Sequence, residues 1–365
     1  MYNEKINGWE IISITSIITF TPLLVTLPRS AGETFGTAAV LHSVYIAILT
    51  AIFFFIIFKL YRNLENKDLF DLAEYVGGNP LRIITGIIVL LYLGTASFIT
   101  VNEFGEDIKN VLFVNTNVQN VNLIFLFGTF IAAYFGIKGI LRISSILFPI
   151  LILGIVAVYF SLSGDIEILN LTPILGTGAE KVFLEGITHA GRYNSLFLLF
   201  LFAPQIQDLK KNGMFSVLST SIIIFLVVFL IFTIIPYPEI LENYFAFFEI
   251  TRMISYGRFF QRVEVIFTFL WLFVCLIYLT LALSVMIQTL KKAFHIEFPK
   301  LLLPLVLTSY MGLTFIFPSF TSLAITRDFM YNYITPAIVF IYPFILLLAS
   351  KLKMGGAKKC ENSNS

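Results

Sequence analysis

Charge is what this 365-residue chain has least of. Asp, Glu, Lys and Arg make up 13% of it, against 58% hydrophobic residues and a mean hydropathy of +0.90. Soluble domains carry roughly 25% charged residues, so a water-exposed globule is excluded. Histidine and cysteine are also scarce, at three and two. His42, His189 and His295 stand far apart in sequence, and none is paired with a Ser or Cys in a recognisable nucleophile setting. Cys275 lies in a hydrophobic run and Cys360 in a polar tail, so neither a disulfide nor a metal site is implied. No phosphate loop or dinucleotide fingerprint occurs, and Gly176-Thr177-Gly178 lacks the strand–turn–helix context such motifs need. The chain is therefore expected not to be an enzyme, to need no cofactor and to bind no nucleic acid. The first segment lacks a basic n-region and a small-residue cleavage site, and reads as a retained helix.

What is present is a series of hydrophobic runs long enough to cross a bilayer. They fall at about 11–28, 38–60, 82–104, 121–137, 141–161, 187–207, 213–236, 261–290, 300–317 and 334–351. The expected fold is thus an all-α integral membrane protein. A single ten-helix transmembrane domain spans 1–352, followed by a polar tail, 353–365, expected to be disordered. With both termini in the cytoplasm, 16 of the 24 basic residues fall on the inner side and 8 on the outer, as the positive-inside rule requires. The longer connections, Ser163–Gly186, Pro236–Phe260 and Pro318–Tyr333, are then outside. Within the second of these, Tyr244–Phe260 is rich in Phe and carries Glu249, Arg252 and Arg258, which suggests a short amphipathic surface helix.

Ten spans divide as five plus five, making the first and sixth equivalent, and both are interrupted. The first contains Thr21-Pro22 and ends Thr26-Leu27-Pro28-Arg29. Proline removes a backbone donor and clashes with the preceding turn. Unpaired backbone at membrane depth survives only in a cavity or against protein. The sixth opens Thr188-His189-Ala190-Gly191-Arg192-Tyr193-Asn194-Ser195 and later meets Pro204. Two broken helices in corresponding halves point to a midplane site at the repeat interface. Its candidate ligand-binding residues are Thr21, Pro22 and Thr26 in span one, and Tyr193, Ser195 and Phe197 in span six. Span three adds Tyr92 and Thr95, with Gly94 read as a close helix contact, and span eight adds Cys275 and Tyr278. Trp271, Cys275, Tyr278 and Ala282 share a face there. Arg29, Glu33, Arg192, Arg262 and Glu264 are candidate gating or structural charges. The carboxylates Glu33, Glu103 and Glu264 read as lying toward the outer face, which weakens a proton-coupled pump.

Several stretches, in order, resemble one family. These are Leu27-Pro28-Arg29, Leu93-Gly94 with Ala96-Ser97-Phe98, and Arg142 with Leu147-Phe148-Pro149. Asn170-Leu171-Thr172-Pro173-Ile174-Leu175-Gly176-Thr177-Gly178, Arg262-Val263-Glu264 before Trp271, and Leu290-Lys291-Lys292 follow. Their order and spacing over some 300 residues are similar to the B subunit of bacterial spore germinant receptors, the spore germination permeases of the amino acid–polyamine–organocation superfamily. The resemblance implies a LeuT-like 5+5 inverted repeat with helices 1 and 6 broken. It implies an inner-membrane protein of a spore-forming bacterium, working with a membrane A subunit and a lipoprotein C subunit. Its implied role is to sense a small nutrient germinant such as an amino acid. Family members often carry an acidic residue inside span six. Here Leu196–Phe202 is wholly apolar, a wall suited to a hydrophobic amino acid. The alternatives are a secondary amino-acid transporter using alternating access, and a structural subunit that has lost ligand binding.

Overall fold

The computed structural model describes residues 5–363 apart from 26, 63, 65–66, 112, 114, 244, 256–261, 298–300, 302–303, 305, 307–311 and 313–319, and of 22–25, 111, 320–322 and 355–363 it describes the backbone only. Among the described residues there are helices and no named strand, and six helices are long and apolar enough to cross a membrane. In chain order the first six are α1 Gly8–Val25, α2 Leu27–Phe35, α3 Ala39–Tyr61, α4 Leu69–Val111, α5 Val118–Tyr134 and α6 Ile137–Ser161. After the short α7 (Ala179–Phe183), a 3-10 stretch, Glu185–Phe197, leads into α8 (Leu198–Leu201). There follow α9 Leu209–Ile234, α10 Ala246–Arg252 and α11 Val263–Phe294. The last rod comprises α12 (Phe320–Phe329), π-helical turns at Met330–Ile334 and Ala337–Ile341, and α13 (Tyr342–Ser363). The ninth expected span, 300–317, lies almost wholly outside the described residues.

The centre of the bundle is α1, which packs against α6, α9, α11 and the 3-10 stretch. Its sequence explains the position. Ile11, Ile14 and Ile17 are buried, and so are Ser13, Thr15 and Ser16 between them. A helix apolar all round has no solvent face and belongs inside, and its hydroxyls satisfy themselves locally. Thr15 Oγ1 donates to the Ile11 carbonyl at 2.8 Å, and Thr19 Oγ1 to that of Thr15 at 2.9 Å.

Three boundaries differ from the sequence reading. The backbone stays helical through Thr21-Pro22 as far as Val25, and α2 begins at Leu27. Proline's fixed φ is compatible with a helix even though its missing N–H removes one bond. Next, α4 runs to Val111, past the 104 at which hydropathy falls away. Its 43 residues bend at Gly78, whose φ of 70° only glycine adopts freely. Finally, the expected outer connection Pro318–Tyr333 is helical from Phe320 onward and continues the tenth span. The tail is drawn as helix to Ser363, where disorder was expected.

The short amphipathic helix expected in 244–260 is α10. It buries Ala246, Phe247, Ile250 and Thr251, with the Phe247 ring 4.5 Å from that of Phe267 on α11. At the other end of the bundle, Asp68 caps α4. Its Oδ1 accepts from the Phe70 and Asp71 amides, both at 2.9 Å, and its other oxygen pairs with Lys292 at the end of α11. Lys292 is 34% exposed and Asp68 2%, so the ion pair is partly screened and the cap is the larger contribution. Asp68→Ala is expected to cost about 2 kcal/mol. Asp68→Asn, which keeps a capping acceptor, should cost less than about 1 kcal/mol. Thermal unfolding of the purified protein checks the order, and equal losses would mean that the charge, not the cap, matters.

Candidate functional site

The site forms where α1, α4, α11 and the π-helical turn at Met330–Ile334 meet. On α4, Glu103 and Asp107 stand four residues apart and so share a face. Glu103 Oε1 accepts from Arg327 Nη1 at 2.8 Å, and Arg327 Nε also donates to Asp328 at 2.9 Å. The side chains of Arg327 and Glu103 are 12% and 14% exposed. Asp107 is 1% exposed, and neither of its oxygens has a hydrogen-bond partner among the described residues. Leaving such a charge buried alone is costly, so a partner or a proton is required.

Asp107 lines a small cavity of about 10 Å³, room for one water. Thr100, Glu103 and Phe104 share the α4 wall, Thr21 comes from α1, Trp271 and Cys275 from α11, and Tyr331 from the π-helical turn. The aromatic walls brace one another: the Phe104 ring lies 4.9 Å from Trp271 and 4.2 Å from Phe125. Thr21 Oγ1 and Trp271 Nε1 also lack partners among the described residues.

The first helix and the broken sixth segment touch. Thr19 Oγ1 and Ser195 Oγ lie 2.8 Å apart. The sixth segment coils as a 3-10 helix with a break at Tyr193, which frees it from regular α-helical bonding over half its length. At the end of the bundle that the charge distribution assigns to the outside, Arg192 donates to Ser30 Oγ at 2.6 Å. Its guanidinium lies 5.6 Å from the Tyr331 ring. It is 4% exposed, and its Nε and Nη1 have no partner among the described residues. It neither snorkels nor stands in an open mouth. Nearby, His42 Nε2 meets the Gly186 carbonyl at 3.1 Å and stacks on Phe35 at 3.8 Å. At the opposite end, the Ile6 amide donates to the Gln205 carbonyl at 2.7 Å and the Gln207 amide to the Ile6 carbonyl at 3.1 Å.

The sequence-derived candidates separate clearly. Thr21 and Cys275 line the cavity. Ser195 bonds to Thr19, while Phe197 and Tyr92 pack edge-on at 5.8 Å. Tyr278 is buried one turn beyond Cys275 on the same face. Tyr193 turns away, its hydroxyl donating to Ser221 at 3.2 Å. Thr95 is exposed on the flank of α4, its hydroxyl donating to the Leu91 carbonyl. Three residues turn a helix by about 300°, and the edge of the buried face falls between Tyr92 and Thr95. The side chain of Pro22 and all of Thr26 lie outside the described residues. Arg29 and Glu33 form an i,i+4 pair at 2.9 Å on α2. Arg262 is exposed and pairs with the buried Glu264 at 3.1 Å.

Sequence reasoning missed Asp107, Arg327, Thr19 and Thr100. It also passed over Asp107, which is 1% exposed. A signal was available: Glu103 and Asp107 continue the helical face of Tyr92, Ala96 and Ile99.

The model of the spore germination protein family matches residues 5–330. Spore germination protein KB of Bacillus subtilis (strain 168) is 24% identical over 252 residues, which is 67% of this chain and 66% of that protein. The chain thus spans just under two thirds of this curated relative. Among solved structures, the inward-facing conformation of Mhp1 superposes with a TM-score of 0.58 at 14% identity, covering 95% of this chain and 74% of that one. A manganese transporter mutant from Eremococcus coleocola gives a TM-score of 0.54 at 13% identity, covering 93% and 76%. At such identities the likeness concerns the fold alone: an all-α, LeuT-like multi-pass membrane bundle. The family model, in contrast, covers nearly the whole sequence, and on that ground the chain belongs to the spore germination protein family.

Proposed function

We propose that this protein is the nutrient-sensing membrane subunit of a spore germinant receptor. It binds a small molecule, an amino acid in this reading, between the first and sixth helices and passes a conformational change to partner subunits. The observation that carries the reading is the contact of Thr19 with Ser195 at 2.8 Å. It joins the first helix to the 3-10 stretch of the sixth segment, in a chain of this family. A ligand acts there only if it binds one arrangement of the two segments better than the other. The partners are a membrane A subunit and a lipoprotein C subunit. The site of action is the inner membrane, with both termini on the core side.

Deleting the gene should abolish germination in response to its nutrient while sporulation proceeds normally. Normal germination in every nutrient, in a strain lacking other receptors, would sink the reading. A panel of amino acids tests the ligand class, the expected response being to apolar ones. A response confined to sugars or charged amino acids would overturn that part. Substitution of Thr21, Tyr92 or Tyr278 should shift the germinant dose-response, whereas an unchanged response would leave a structural subunit. Substrate-driven uptake by the isolated protein in proteoliposomes would replace sensing with transport.

A further inference from the structure

A second and larger cavity, of about 930 Å³, lies on the flank of the bundle where α3 packs against α9. Its lining extends from Val44 to Phe55 on α3 and from Asp208 to Phe225 on α9. At 1.5 Å per residue that is about 16 Å of one helix and about 25 Å of the other. One leaflet contributes half of a hydrocarbon core of about 30 Å, so the groove is long enough for an acyl chain. Ala47 and Ala51 leave the space that larger side chains would fill. Ile48, Phe55 and Leu218 line its open side, each more than half exposed. The one hydroxyl among its lining residues, that of Ser221, is already satisfied. It donates to the Val217 carbonyl at 2.8 Å and accepts from Tyr193 at 3.2 Å. The wall therefore suits an apolar occupant.

Charge enters the lining at one end only, through Asp208, Lys210 and Lys211. This is the end that the charge distribution assigns to the inside. Neither lysine forms an ion pair among the described residues, and Asp208 offsets only one of the two charges. Both lysines stand in the first turn of α9, where the helix dipole disfavours cations and favours an anion. The positive-inside rule accounts for lysines in an inner loop, but not for their place at the mouth of an apolar groove. The same rule tells the possible occupants apart. A partner's transmembrane helix would bring its own basic inner flank against Lys210 and Lys211, whereas a lipid phosphate brings the complementary charge.

We propose that this groove binds one anionic phospholipid of the inner leaflet, its phosphate on Lys210 and Lys211 and an acyl chain between α3 and α9. The site is independent of the sensing role proposed above. The test places the photo-cross-linker p-benzoylphenylalanine in the full-length protein, in the membrane of the cell that makes it. One variant carries it in place of Leu218 in the groove, and another in place of Leu91 on the exposed flank of α4. After irradiation the adducts are identified by mass. The ratio of phosphatidylglycerol to zwitterionic lipid adducts should be several-fold higher at Leu218 than at Leu91. Lys210→Gln together with Lys211→Gln should bring it down to the Leu91 level, since each lysine near the surface is worth about fivefold in anionic-lipid binding. If loss of two inner lysines disturbs insertion, Ala51→Phe, which fills the groove and keeps the charges, should lower the phosphatidylglycerol adduct at Leu218 several-fold. The proposal is overturned if both positions give the same ratio, meaning annular lipid only. It is equally overturned if the Leu218 adduct is a protein, meaning that a partner helix or a second copy of this chain fills the groove. Survival of the full anionic excess in the lysine variant or in Ala51→Phe also overturns it. Because the readout does not involve germination, its failure is separate from failure of the sensing role.

Discussion

Replacing Arg327 with methionine is expected to destabilise the protein by about 3–5 kcal/mol. The methylenes of the arginine stem are retained in this substitution, so packing is largely preserved and the lost charge dominates. Arg327 holds the Glu103 carboxylate at 2.8 Å, with both side chains close to nine-tenths buried. Without it, Glu103 and Asp107 stand one turn apart on α4 with no cationic side chain bonded to either among the described residues. Removing one partner of a buried pair leaves an uncompensated charge, which costs more than the pair contributes. Thermal unfolding and the amount of protein recovered from membranes are the measurements. The double variant Arg327→Met with Glu103→Gln should recover most of the loss. If the single variant is as stable as its parent, the pair is not the tie between α4 and the last helical rod.

The second large effect is expected at Gly191. A Cβ there would stand 1.8 Å from the Tyr331 carbonyl oxygen, 2.9 Å from its carbon and 3.1 Å from Pro336 Cδ. Two of these three atoms are backbone, so no side-chain rotation relieves the overlap and the segments must separate. Gly191→Ala should therefore cost about 3 kcal/mol or more, at or above the upper end for overpacking. Gly94→Ala provides the contrast. The nearest atom to its added Cβ is Met286 Cε at 4.0 Å, an ordinary contact. It should be neutral or stabilising by a few tenths of a kcal/mol, since alanine suits a helix better. Equal midpoints for the two variants would contradict this packing. The close approach thus falls at Gly191 and not at Gly94, where the sequence reading allowed a tight helix contact.

Much of this architecture was legible in the residue pattern, because bilayer thickness dictates span length. The all-α class, the irregular sixth segment and a short helix within 244–260 all follow from hydropathy and residue pattern. What escaped notice lies where polar residues continue a membrane helix. Asn102, Glu103, Glu106 and Asp107 lower the local hydropathy, so α4 was ended at 104, yet its helix runs to Val111. Likewise Thr326, Arg327 and Asp328 read as a loop and are helix. A hydropathy window sees each side chain against lipid. It cannot see that Glu103 and Arg327, 224 residues apart in sequence, neutralise each other within the bundle. Tyr193 was misplaced for another reason: in a segment of 3-10 turns, a periodicity of 3.6 does not say where a side chain points.

The contact of Ile6 with Gln205 and Gln207 bears on how the two ends of the bundle can move. It is a main-chain clip, made of two amide–carbonyl bonds between the start of the chain and the end of the sixth segment. No side-chain substitution can remove it, and drawing α1 away from that end would leave two donors and two acceptors to be rehydrated. At the opposite end, Arg192 with Ser30 and His42 with Gly186 hold through side chains that can swing aside. One mouth is laced by backbone and the other latched by rotamers. The latched mouth is therefore the more compliant of the two.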